Sequence, residues 1–307
     1  MDDDPIVGRA ERAVGRPGLL DALAALPASD VTSLLLALAR RRAAAVSPAA
    51  LLRAHTENRL VGPAALDPRA LRAYEERIDE LLPEGYERID LSPVTPLGAA
   101  HVLGATPQDW VVSAGRDTEV VSDPTVALAL ECAVRRRKFR PSATPVHLAA
   151  VHRTLRAQRF PPPLRQHFVL AACCSAGRDE GGHVFDAVVL RDHLALQVGL
   201  AVAFEVPALR FTLTPLRGGL HPDQLEELVV APLGGLFPAV RFELDTERQG
   251  GEPGYYVRTC FGLWSGDGED AANVADGGFT DWCARLLGDR KERLLTSGIG
   301  LERLARN

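Results

Sequence analysis

The sequence contains no stretch near the roughly 18 uninterrupted apolar residues of a membrane-spanning helix. Its first residues, Met1-Asp2-Asp3-Asp4, are acidic where a secretory leader is basic, so a cytoplasmic protein with no membrane partner is expected. Cysteine is scarce. Cys132, Cys173, Cys174, Cys260 and Cys283 are odd in number and show no CxxC spacing, which argues against a disulfide framework or structural zinc and for free buried thiols. His147, His152, His167 and His183 are scattered without metal-ligand spacing, and no metal site is expected. The net charge of -5 argues against a surface that coats nucleic acid, while leaving room for a local basic groove. Also missing are GxxxxGK[ST], a GxGxxG after a strand, HExxH and GxSxG, so any ATP chemistry must use another architecture. There is no internal repeat and no low-complexity tract beyond alanine-rich helix.

What is present suits a globular chain. Its 307 residues, 46% hydrophobic and 24% charged, can bury a substantial core. Residues 1–83 read as a helical segment, because apolar runs follow good start signals: Asp30 before Val31, Ser47-Pro48 before Ala49, and Asp67-Pro68 before Arg69. In the last of these, Leu71, Tyr74, Ile78, Leu81 and Leu82 recur at three and four, and Pro83 ends the helix. Residues 84–307 form the second unit, with a small insertion at about 186–250. Short β-prone runs appear at Trp110–Val112 and Glu119–Val121, a helix from Pro124 to about Arg137, and a strand at Phe168–Cys174. Alternation at Leu209–Leu213 and Val240–Leu244 predicts half-buried antiparallel strands. Irregularly interspersed helices and strands make this an α+β protein with a mainly antiparallel sheet. The basic runs Arg40-Arg41-Arg42 and Arg135-Arg136-Arg137-Lys138 follow helices, whose C-terminal dipoles they complement. Cys173 and Cys174, adjacent in a strand, point to opposite faces, so one thiol could face a pocket.

Two glycine pairs stand out near the C-terminus. Gly298-Ile299-Gly300-Leu301-Glu302-Arg303-Leu304 places glycines at a strand-to-helix junction with an arginine one turn on. Glycines let backbone approach a ligand closely and arginine neutralises phosphate, although a plain turn with a surface arginine has the same pattern. Asp276-Gly277-Gly278-Phe279-Thr280-Asp281-Trp282 precedes a helix, and a tight turn with a capping aspartate would also explain it.

Together these segments resemble the catalytic core of class II aminoacyl-tRNA synthetases, closest to the histidyl type. GIGLERL looks like motif 3, GGFTDW resembles the histidyl-type GGRYDxL signature, and Tyr255-Tyr256-Val257-Arg258-Thr259-Cys260-Phe261 is similar to that family's YYTxTxF strand. Arg156-Ala157-Gln158, a loop and Phe168 resemble motif 2, and Gly85 and Pro93 match the glycine and proline of motif 1, which implies a homodimer. The resemblance covers residues 84 to 304. It implies a sheet with Phe168, Tyr255 and the strand before Gly298 on one pocket-facing surface. It also implies ATP, with Mg2+, held by Arg156 at the α-phosphate, Phe168 and Gln158 at adenine, and Gly300 and Arg303 toward the γ-phosphate. An amino acid would lie against Asp123, Thr125, Tyr255, Tyr256, Gly277 and Gly278, with Asp123 taking its ammonium. Arg156 and Arg303 would be the catalytic residues.

The departures matter as much. Gln158 replaces the motif 2 glutamate, and the histidyl-type catalytic arginine aligns with Gly251, with Arg248 as its substitute only if the loop shifts. The chain stops four residues after Arg303, where an anticodon-binding domain would follow. The expectation is therefore an enzyme that activates an amino acid or similar carboxylate as an adenylate. Ordinary tRNA charging is not expected, and the acceptor would be an RNA or a carrier protein. A non-catalytic regulatory or ligand-binding subunit of the histidyl-synthetase type is the alternative.

Overall fold

The computed structural model describes residues 4–138, 144–161, 164–178, 180–246, 255–266 and 271–304. Several N-terminal helices begin at a capping side chain followed by proline. Asp4 accepts from Ile6 N at the head of α1 (Pro5–Val14), Ser47 from Ala50 N at α4 (Pro48–Glu57), and Asp67 from Arg69 N at α5 (Pro68–Leu81). Between them lie α2 (Leu19–Ala24) and α3 (Ala28–Ala44). Asp30 does not cap α3, which starts directly after Pro27, so Asp30 acts on the dipole from within the first turn. Helices α1 to α4 bury no residue, whereas α5 buries Tyr74 and Ile78.

Beyond α5 come β1 (Tyr86–Arg88), β2 (Val94–Pro96), α6 (Ala99–Gly104), β3 (Ser113–Gly115), β4 (Thr118–Val120), α7 (Pro124–Lys138), β5 (Val146–Leu155) and β6 (His167–Arg178). Next are α8 (Val184–Ala203), β7 (Leu209–Pro215), α9 (Pro222–Leu225), α10 (Ala231–Leu236) and β8 (Arg241–Leu244). The chain finishes with β9 (Val257–Ser265), β10 (Ala272–Thr280), α11 (Trp282–Leu287), β11 (Glu292–Gly300) and α12 (Leu301–Leu304). Among the described residues, eight strands form one sheet in the order β1-β5-β6-β11-β10-β9-β7-β8, and β2-β4-β3 form a second. Every central pairing of the large sheet is antiparallel, and only its edge pairs, β1 with β5 and β7 with β8, are parallel. The fold is α+β with a mainly antiparallel sheet, as the sequence suggested.

Three local readings change. Val240–Leu244 was expected to pair antiparallel, but β8 runs parallel to β7 at the sheet edge. The alternation in β7 does not mark a half-exposed strand, since most of β7 is buried with cover on both faces. Trp110 ends a single 3-10 turn, Gln108–Trp110, and is not in a strand, because Pro107 opens that turn. No helix among the described residues is long and apolar enough to cross a membrane.

The sheet is buried on both faces. Helix α8 covers one, where Leu190, Leu194 and Leu200 meet Phe211, Phe261, Phe279 and Leu295. There α5 adds Tyr74, whose ring meets Phe204 edge-on. Helix α7 covers part of the other face, setting Leu128 and Cys132 against Leu148, Cys174 and Leu294, with Trp282 beside them. The basic run at the end of α7 does more than answer a dipole. Arg136 is buried and makes a bidentate pair with Glu292 at 3.0 Å on each arm, fastening α7 to the first residue of β11.

Under the sheet, Ser175 Oγ is the hub of a buried polar network. It meets Tyr86 Oη at 2.9 Å, His147 Nδ1 at 2.9 Å and His193 Nε2 at 2.8 Å, while His193 Nδ1 meets Ser297 Oγ at 2.8 Å. Burial pushes the His193 imidazole down to about 3, with His147 adding to the effect.

Two predictions follow from these buried groups. Glu292→Ala leaves Arg136 charged and unpaired inside the protein, and should lower the unfolding free energy in urea by about 3 to 5 kcal/mol. A loss below about 1 kcal/mol would show that water reaches this pair. The second concerns acid. The unfolded chain protonates His193 near 6.5 and the folded chain only near 3, so stability falls as pH drops through that window. Between pH 7 and 5 the wild type should lose about 2 kcal/mol from this group, and His193→Asn should lose correspondingly less.

Candidate active site

On the α7 side of the sheet a cavity of about 480 Å3 opens where α7 leaves the strands uncovered. Asp123 and Thr125 enter it from the head of α7, Arg156 and Gln158 from the end of β5, and Phe168 from the start of β6. Tyr255 and Tyr256 come from the approach to β9, and Gly300 and Arg303 from the β11–α12 junction. Residues more than 180 apart in sequence are thus gathered at one site. The antiparallel pairing of β5, β6 and β11 is what brings them there.

Arg156 is held on three sides. Its Nε donates to the Ser122 carbonyl at 2.9 Å, its Nη2 lies 3.6 Å from Asp123 Oδ2, and its guanidinium sits 5.3 Å from the centre of the Phe168 ring. Its backbone N–H donates to the Gln166 carbonyl, closing the hairpin between β5 and β6. Asp123 Oδ1 accepts from Thr125 N at 2.9 Å and Thr125 Oγ1 at 2.7 Å, which leaves Oδ2 facing Arg156. The sequence assigned these two residues to different ligand groups, but here they pair with each other. A ligand ammonium at Asp123 or a phosphate at Arg156 must share or displace that contact.

Arg303 Nη1 donates to both oxygens of Asn273, with Oδ1 at 3.0 Å. Beside it, the Glu302 carboxylate receives the Val169 N–H at 2.9 and 3.1 Å, tying α12 to β6. The Tyr255 ring meets Tyr256 and Trp282 edge-on. Both phenols are pushed above the usual tyrosine range, first by burial and then by the charges of Asp123 and Asp276. All five cysteines are buried and free, and neither Cys173 nor Cys174 lines the cavity. Burial pushes the Cys173 thiol up to about 12, a poor nucleophile.

Gly277 and Gly278 do not touch the cavity. They lie in β10, so the segment is a central strand and not a tight turn, and Asp281 at the head of α11 makes no capping bond. Their role is to give room. A Cβ on Gly278 would stand 2.5 Å from the Tyr256 ring, and one on Gly277 would stand 2.5 Å from both the Phe261 ring and the Thr296 carbonyl. Arg248, Gly251, Gly254, Pro162 and Pro163 lie outside the described residues.

Several residues of the site escaped the sequence. Arg59 donates to the carbonyls of Ala157 and Gln158, His167 Nε2 to that of Gly62 at 2.7 Å, and Ala65 lines the cavity. The end of the N-terminal helical segment is therefore a wall of the site, through contacts spanning about a hundred residues that no local pattern signals. Trp110 and Phe160 also line it. Asp276 does as well, although it stood beside a recognised motif.

Known proteins can now be compared with this geometry. No family model matches the sequence, and no curated protein matches it. Solved structures do match. A histidyl-tRNA synthetase of S. aureus superposes with a TM-score of 0.60 at 17% identity, over 81% of this chain and 68% of that one. A chain described as an ATP phosphoribosyltransferase regulatory subunit/histidyl-tRNA synthetase from Bacillus halodurans gives 0.56 at 13%, over 80% and 81%. A pyrrolysyl-tRNA synthetase from Desulfitobacterium hafniense gives 0.50 at 12%, over 83% and 72%. The fold is the class II synthetase core of the histidyl type. Within that fold the cavity lies between the segments that resemble motifs 2 and 3.

The glycines give a test of the site's construction. Gly277→Ala sets a methyl against a backbone carbonyl that cannot retreat and should cost about 1 to 3 kcal/mol in urea unfolding. Gly298→Ala, whose nearest neighbour would be 3.9 Å away, should change stability by less than about 0.5 kcal/mol. Equal losses in the two variants would contradict this account of β10.

Proposed function

We propose that this protein binds ATP and an α-amino acid or similar carboxylate in the cavity, and joins them as an adenylate with release of pyrophosphate. The observation that carries the reading is the convergence of Arg156, Phe168, Arg303 and Asp123 on one cavity in a class II fold. Adenylate formation is in-line attack by a carboxylate oxygen on the α-phosphorus, with cleavage of the bond to the bridging oxygen of pyrophosphate. The attacking carboxylate is already ionised, so the reaction needs alignment and charge neutralisation more than acid–base groups.

This chain has side chains suited to both tasks. Arg156 supplies a planar, permanently charged donor for the α-phosphate, and Phe168 beneath it offers a face to adenine. Gln158 can hydrogen-bond the adenine amino group without the charge of a glutamate. Arg303 meets the γ-phosphate, Gly300 lets backbone approach it, and Asp123, buttressed by Thr125, takes the substrate ammonium. Among the described residues no group of three or more His, Cys, Asp or Glu side chains is assembled for a metal. That fits magnesium arriving on the nucleotide's phosphates, which usually need only one or two carboxylates. Bound there, it would neutralise phosphate charge. The acceptor is an RNA or a carrier protein in place of a tRNA matched by its anticodon, and the working unit is a homodimer built around Gly85 and Pro93.

A second reading is favoured by Gln158 and by likeness to a chain described in part as a regulatory subunit: a module that senses a ligand without catalysis. Calorimetry and pyrophosphate exchange separate the two. The enzyme reading expects ATP binding and exchange with at least one amino acid, with Arg156→Ala weakening ATP by about 2 to 4 kcal/mol. Asp123→Asn should lose the amino acid and leave ATP affinity nearly unchanged. Ligand binding without exchange selects the regulator. Absence of ATP binding to the wild type overturns the enzyme reading.

A further inference from the structure

The least expected group in the cavity is Asp276. It is exposed in a strand whose next four residues are all buried. Its partners across the ladder are Gly298 in β11 and Gly262 in β9, neither of which has a side chain to cover it. The open space it meets is the cavity it lines, on the side where Tyr256 lies against Gly278. The strand is fixed there by both neighbouring strands, with a further tie from Gln197 Nε2 to the Asp276 carbonyl at 3.5 Å.

Three carboxylates reach the cavity, and two have visible tasks. Asp123 is engaged by Thr125 and Arg156, and Glu302 by the Val169 N–H with Arg153 3.8 Å away. The guanidinium groups of Arg156 and Arg303 belong to the part of the site that faces Phe168 and α12. Asp123 and Asp276 both act on the Tyr255 and Tyr256 phenols, so the tyrosine pair lies within the field of two carboxylates. That subsite combines aromatic walls, reduced solvation and two negative groups.

We propose that the amino acid taken by this cavity has a positively charged side chain, whose terminal cation is held by Asp276 while its α-ammonium takes Asp123. The assignment rests on the reading of the cavity as an amino-acid site. A neutral aliphatic side chain would strip water from Asp276 and return nothing, and an acidic one would be repelled. A cationic side chain is matched by the carboxylate and can also lie against a tyrosine face. The sequence is consistent with this departure: a carboxylate precedes the glycine pair in Asp276-Gly277-Gly278, and β10 buries the glycines while leaving that carboxylate in the cavity.

The test is calorimetric titration of the full chain with L-lysine, L-ornithine, L-arginine, L-norleucine and L-glutamate, with ATP titrated separately. At least one cationic amino acid should bind about a hundredfold or more tighter than norleucine, and glutamate should not bind. Asp276→Asn, which preserves shape at an exposed position, should bring the cationic ligand to the norleucine level with ATP affinity unchanged. Asp276→Ser should do the same, which guards against a local effect of the amide. If norleucine binds as well as every cationic amino acid, or if Asp276→Asn leaves the preference intact, the proposal is overturned. ATP binding without any cationic preference sinks this proposal and spares the adenylation reading. Cationic preference without ATP binding does the reverse, and failure of both titrations overturns both.

Discussion

Between β9 and β11 there is no room for a side chain at Gly277 or Gly278, and much of the site follows from that restriction. Because Gly278 has no Cβ, the Tyr256 ring lies against the strand. Tyr256 in turn supports Tyr255, whose ring reaches Trp282 on the face covered by α7. Below, the space left by Gly277 is taken by Phe261, which joins the core under α8. The glycine pair therefore joins the floor of the cavity to both layers of the fold, and it sets Asp276, the residue before it, at the cavity surface. Close packing at such a point does not relax gradually. A methyl added there must move a backbone carbonyl or an aromatic ring.

The electrostatics of the cavity are arranged around Arg156. Its carbonyl partner, its carboxylate neighbour and the Phe168 ring fix the guanidinium before any ligand arrives. Preorganised charge of this kind stabilises a developing phosphorane-like charge without reorganisation during the reaction. The same contacts set a condition on binding, since the partner that positions Arg156 is the carboxylate assigned to the ammonium. A ligand carrying both a phosphate and an ammonium, as an aminoacyl adenylate does, would satisfy both ends of that pair. Covalent catalysis through cysteine is disfavoured on the opposite ground: burial holds the thiols in their protonated form.

Local signals in the sequence were reliable where local physics decides the outcome. Asp67-Pro68 did start α5, and its spaced apolar residues did face the core. Phe168–Cys174 lies within β6, and GIGLERL is a strand-to-helix junction. Arg156, Gln158, Phe168, Asp123, Thr125, Tyr255, Tyr256, Gly300 and Arg303 all line one cavity. What failed depended on tertiary context. The direction of β8 is set by a crossover through α9 and α10, not by its alternation. Arg136 looked like one of several charges at a helix end, and only its distant partner Glu292 makes it a core residue. Asp276 was legible as a letter but not as a cavity group, because glycine before a helix also suits a turn. The wall formed by Arg59, Gly62 and Ala65 had no signal at all, since its partners lie about a hundred residues away.

The central claim is that Arg156, Phe168 and Asp123 form one composite site for an adenylate. A crystal structure of the protein with a non-hydrolysable aminoacyl-adenylate analogue tests it most directly. The account predicts the adenine ring against Phe168, the phosphate mimic on Arg156 and the ammonium on Asp123, with the Arg156–Asp123 contact bridged or opened by the ligand. An analogue bound elsewhere, or bound in the cavity with Arg156 still closed on Ser122 and Asp123 and its phosphate mimic turned away, would contradict it.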